Sequence, residues 1–75
     1  MRLQRSDRLQ NQWYTLPSEV RRFVESLKTN PHPTGALQTK ERPGRQEELI
    51  TGYWVIWDID EGGNETIVRV TIANN

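Results

Sequence analysis

Cysteine is absent from this 75-residue chain, so neither a disulfide nor a thiolate metal site can support the fold. The absence fits a reducing compartment. There is one histidine, and Asp58 and Asp60 have no further ligand type at metal spacing, so no metal is expected. No cofactor is expected either. Glu61-Gly62-Gly63-Asn64 reads as a hairpin turn and lacks the helix that a phosphate-cradling loop opens. No apolar run reaches signal-peptide length at the N-terminus or approaches a membrane span, so the expected location is the cytoplasm. Internal repeats and low-complexity tracts are also missing. Net charge is zero, with ten basic and ten acidic side chains, which argues against strong nonspecific nucleic-acid binding.

The charges that are present are unevenly placed. Residues 1–45 hold nine basic and four acidic side chains, and residues 46–75 hold one basic and six acidic. Such asymmetry is a hint of a charged partner or of two solvated faces of opposite sign. Length sets a second bound. A domain this small buries only ~60% of the surface its unfolded chain exposes, so its stability is marginal.

One domain spanning 1–75 is expected, in the order α-α-β-β-β. Ser6 can cap a first helix over about 7–15, with Leu9, Trp13 and Leu16 on one stripe. Pro17 suits the first position of a second helix over about 17–29. Val20, Phe23, Val24 and Leu27 make its apolar face, and Asn30-Pro31 ends it. Residues 31–44 read as a loop rich in proline and glycine. Strands follow at about 45–51, 53–60 and 65–72. The second, Gly52-Tyr53-Trp54-Val55-Ile56-Trp57-Asp58-Ile59-Asp60, concentrates aromatic and β-branched residues that fit a pleated surface. Alternation puts Tyr53, Val55, Trp57 and Ile59 on one face and Trp54, Ile56, Asp58 and Asp60 on the other. Both faces are apolar through Trp57, which marks a central strand. The first strand, with Glu47 and Glu48, reads as an exposed edge or face. The expected fold class is therefore α+β, an N-terminal antiparallel helix pair packed on a three-stranded antiparallel β-meander.

Three pieces of this order carry a family likeness: Leu16-Pro17 opening a helix, Asn30-Pro31-His32-Pro33-Thr34-Gly35 closing it, and the Gly52–Asp60 strand. Together they resemble the RelE/ParE toxin superfamily of bacterial toxin–antitoxin systems, over about residues 6–73. The resemblance implies a toxin-like component, mRNA-cleaving or otherwise growth-inhibiting, neutralised by an antitoxin protein, with mRNA or the ribosome as target. Members open with a β-strand, for which Met1 to Arg5 looks too short and too basic. Where the family's strand carries an arginine, this chain has Trp54. Where nucleolytic members are basic, it has Glu47 and Glu48. RNA cleavage needs cations where phosphorane charge develops, and a tryptophan and two carboxylates oppose that.

A relocated catalytic site would draw on Lys40, Arg42 and Arg45 for phosphate, with His32 as acid or base and Arg69 as a further cation. The ordinary reading of each is a solvated side chain. For Arg69 it is a cross-strand pair with Asp58 or Asp60, contributing only ~0.2–1 kcal/mol. Trp54 and Ile56 lie on the face that lacks cover and are the candidate partner-binding residues; Trp54 could also stack a base. Two further readings stand beside the toxin: a catalytically inactive RelE/ParE-like protein-binding module, and a small RNA-binding protein.

Overall fold

The computed structural model describes residues 2–38 and 44–73. Its elements are β1 (Arg2–Arg5), α1 (Asp7–Gln12), a 3-10 turn (Trp13–Thr15), α2 (Ser18–Ser26), β2 (Leu37–Gln38), β3 (Arg45–Ile50), β4 (Tyr53–Ile59) and β5 (Glu65–Ile72). The five strands form one mixed sheet in the order β1-β5-β4-β3-β2.

Local chemistry sets the helices. Ser6 is extended, and its Oγ accepts the Leu9 N–H at 3.2 Å, closing the first turn of α1. The helix is shorter than the expected 7–15, because it tightens into the 3-10 turn after Gln12. Thr15 Oγ1 donates to the Gln12 carbonyl there, at 2.6 Å. Pro17 precedes α2, and its carbonyl accepts from Val20 and Arg21. α2 also ends early, at Ser26 rather than near 29. The Ser26 and Thr29 hydroxyls donate to the Phe23 and Ser26 carbonyls, and such local bonds compete with the helical ladder.

The expected three-stranded meander is the inner part of a larger sheet. β3, β4 and β5 pair antiparallel as expected, but β1 adds to β5 in parallel, with Leu3 opposite Thr66 and Arg5 opposite Val68. Contrary to the expectation for Met1 to Arg5, Arg2–Arg5 is a strand, because an edge strand needs few apolar side chains and tolerates charge. Arg5 is also held on both sides: its guanidinium lies 3.6 Å over the Trp13 ring and bonds Glu25. The 31–44 segment likewise contributes β2, which pairs with Gln46 and Glu47. β2 therefore flanks β3 only at Gln46 and Glu47, and among the described residues no strand lies beside residues 48–50 on that side.

β4 is central, as its two apolar faces imply. Val55 and Trp57 are fully buried beneath the helices, with Val68 and Val70 of β5 beside them. Leu9, Trp13, Leu16, Val20, Val24 and Leu27 complete this core from the helical side. Trp57 is its largest fully buried side chain. Phe23 meets it edge-on at 5.6 Å, and its Nε1–H donates to the Pro31 carbonyl at 2.8 Å. That bond ties the loop after α2 to the sheet.

Candidate functional site

With both helices on one face, the other face of the sheet is left open among the described residues. Cross-strand partners share a face, so the register defines the open one row by row. Thr71, Trp54 and Leu49 form one row. Arg69, Ile56, Glu47 and Leu37 form the next. Gln4, Ile67, Asp58 and Arg45 form the third. Leu37, Leu49 and Ile67 are 59%, 52% and 49% exposed, while Trp54 and Ile56 are half-buried by their neighbours. Large apolar side chains grouped on one open face are the kind of surface that interaction sites use.

The charges on this face are few and separately placed. Arg45 Nε donates to Asp58 Oδ1 at 3.2 Å, so the basic residue of β3 is neutralised locally. Arg69 stands opposite Ile56, not opposite an acid, and forms no ion pair among the described residues. The expected Arg69–Asp58 or Arg69–Asp60 pair is therefore replaced. Asp58 is bonded by Arg45, and Asp60 Oδ1 accepts the Asn64 and Glu65 N–H groups in the β4–β5 turn. Glu47 lies on the open face across Ile56 from Arg69. Glu48 points to the helical side, where its Oε1 is buried without a partner among the described residues and sits close under Gly35. Beside Arg69, an open cleft of about 470 Å³ is lined by Ser6, Arg8, Ile56, Arg69, Val70 and Thr71.

The candidate catalytic residues are thus divided. Arg45 and Arg69 share the open face. His32 is exposed on the loop whose Pro31 carbonyl bonds Trp57 of the covered face, and its own N–H donates to Asn30 Oδ1. Lys40 and Arg42 lie outside the described residues. The candidate partner residues Trp54 and Ile56 are adjacent on the open face. Leu37 and Leu49 join this surface, and Arg8 lines the cleft beside it, without having been singled out by sequence. Arg8 belongs to a helix, and Leu37 to a loop segment with no periodicity to read. Among the described residues, no three of His, Asp and Glu gather as metal ligands would, and no helix is long and apolar enough to cross a membrane.

No family model and no curated protein matches the sequence. Solved structures do match. The isolated RelE toxin of E. coli superposes with a TM-score of 0.70 over 99% of this chain and 85% of its own, at 21% identity. The fold is RelE-like. A second match, the RelBE2 toxin–antitoxin complex of Mycobacterium tuberculosis, has a TM-score of 0.62 at 15% identity and covers 95% of both chains. On this RelE-like frame, the position where the resemblance expects an arginine carries Trp54, on the open face beside Leu49 and Thr71.

Proposed function

We propose that this protein is a toxin-like component of a toxin–antitoxin pair, held by an antitoxin protein that covers the open sheet face at Trp54 and Ile56. The supporting observation is a RelE-like sheet whose open face is apolar at its centre and uncovered. One of the matched structures, RelBE2, is itself a toxin–antitoxin complex. A partner helix or strand laid on Leu37, Leu49, Trp54, Ile56 and Ile67 would bury the large side chains that this face exposes.

The face also favours the second reading, a protein-binding module without cleavage activity. Phosphoryl chemistry on RNA needs positive charge placed where negative charge develops. Here Arg45 is occupied by Asp58, Glu47 repels phosphate, and Trp54 brings no charge. Cleavage would then rest on Arg69 with Lys40 and Arg42. The RNA-binding reading, which rests on the basic N-terminal half, ranks last, because the chain as a whole carries no net charge and binding of this kind scales with the phosphates neutralised.

Inducible expression with growth monitored and transcripts mapped for new 5′ ends separates these readings. Growth arrest relieved by a co-expressed antitoxin supports the toxin. New 5′ ends lost in Lys40→Ala, Arg42→Ala or Arg69→Ala would add cleavage to it. Normal growth with soluble, folded protein sinks the toxin and leaves the binding module. Trp54→Ala should weaken capture of the antitoxin while leaving the fold intact by circular dichroism.

A further inference from the structure

The open face is complementary to itself. On β4 the column Trp54, Ile56, Asp58 runs down its middle, β5 lies on one side and β3 on the other. Suppose a second copy is laid face to face across a two-fold axis running along β4. Such an axis exchanges the β5 side of one copy with the β3 side of the other. Trp54 then meets Trp54, and Ile56 meets Ile56. The exposed Leu49 of each copy lies on the Thr71 methyl of the other. Arg69 falls opposite the partner copy's Glu47, and this pair occurs twice. Within one chain these two side chains flank Ile56 from opposite sides, and neither has an ion-pair partner among the described residues. The cleft lined by Arg8 and Arg69 gives the incoming Glu47 carboxylate two cations to face. Asp58 meets its own copy, and each is already paired with its own Arg45.

We infer that the open sheet face is a homodimer interface, in which two copies pack Trp54 and Ile56 against each other and exchange Arg69–Glu47 ion pairs. Charge argues for a second copy as the occupant of this face when no antitoxin is bound. An amphipathic helix could cover the leucines, but this face supplies both a cation and an anion that have no ion-pair partner among the described residues, at positions that a two-fold axis superposes. Two β-sheets packed this way match the aligned face-to-face arrangement of sandwiches, which tolerates a ~30° rotation between them. The interface is isologous and closed. Its area is modest, since the molecule's two larger extents are 32 and 26 Å. A face of that size barely reaches the ~800 Å² per partner of a standard interface, so the dimer is a weak one, exchanging in solution. The pairing needs no antitoxin. Where one is present, it competes with the second copy for Trp54 and Ile56.

Sedimentation velocity across micromolar to millimolar protein tests this, with Arg69→Glu and Glu47→Arg as the variants. Both positions are on the protein surface and outside the core, so both variants should fold, which circular dichroism checks. The wild type should shift from monomer toward dimer as concentration rises. Each variant alone should associate about tenfold more weakly, because each brings like charges together twice. An equimolar mixture of the two should recover the association, because in the mixed dimer both pairs are again opposite in sign. In dilution series by NMR, the Trp54 indole and Ile56 methyl signals should move with concentration. A wild type monomeric throughout the range overturns the inference. So does association indifferent to both charge changes, or shifts confined to the helices or the outer edge of β1. None of these outcomes bears on growth arrest, so the dimer and the toxin reading fail separately.

Discussion

At the scale of single residues, two positions carry measurable consequences. Thr51 and Gly52 join β3 to β4 with both φ angles positive, 50° and 83°, the geometry of a two-residue type I′ turn. Glycine adopts this freely, but a β-branched threonine does not. Its Oγ1 donates to Glu19 Oε2 at 2.8 Å, an exposed bond that offsets only part of the strain. Thr51→Asn should stabilise the fold by ~1 kcal/mol, read as a higher urea midpoint with an unchanged slope. The second position is Glu25. Its carboxyl accepts from Lys28 and Arg5, and these bonds, Lys28 first, hold its pKa below 4.5 against the opposing effect of burial. A carboxylate lowered on folding stabilises the native state above its unfolded pKa and stops doing so as pH falls through the folded value. Glu25→Gln should therefore cost stability at neutral pH, and the difference in melting temperature from wild type should shrink as pH drops below about 4.5. Glu25 and both of its partners are partly exposed, so the effect is small.

At the scale of elements, α1 and β3 are the informative cases. α1 has six residues, too few to hold without its cap and its tertiary contacts. Ser6→Ala removes the acceptor for the Leu9 N–H and should cost ~1 kcal/mol, seen as a lower melting temperature. β3 holds a carboxylate on the helical side, where Glu48 Oε1 has no partner among the described residues. Glu48→Met should raise stability by ~1 kcal/mol, since an unmet buried oxygen costs more than an apolar atom in the same place. The helices were legible in sequence because Ser6, Pro17 and the Val20-Phe23-Val24-Leu27 spacing are local signals. β1 was not, because its partner is β5, more than sixty residues along the chain, and parallel pairing leaves no local trace. The Arg45–Asp58 pair was hidden for a related reason. It depends on the β3–β4 register, which the tight Thr51-Gly52 turn sets, and a strand drawn one residue longer does not reveal it.

At the scale of the molecule, one small core supports everything else, and Trp57 is its centre. It fills the space between sheet and helices, meets Phe23, and bonds the Pro31 carbonyl. Truncating a buried aromatic costs ~3–5 kcal/mol, much of the stability a domain this size has. Trp57→Ala should leave the chain largely unfolded at room temperature by near-UV circular dichroism, whereas Trp54→Ala should not. Two tryptophans three residues apart thus have separate uses, one inside and one outward.

The amino-acid sequence by itself determined the local choices: where the helices start, which face each takes inward, and that β4 is apolar on both sides and hence central. It also showed that Trp54 and Ile56 face away from Trp57, because side-chain alternation along a strand is a property of the backbone alone. Only the tertiary structure decided what surrounds them. It brought β1 and β2 to the sheet, neutralised Arg45 with Asp58, and set Arg69 and Glu47, without ion-pair partners among the described residues, on either side of Ile56. Those facts depend on strand order and register, which arise from packing between residues far apart in the chain, so no local pattern could have carried them.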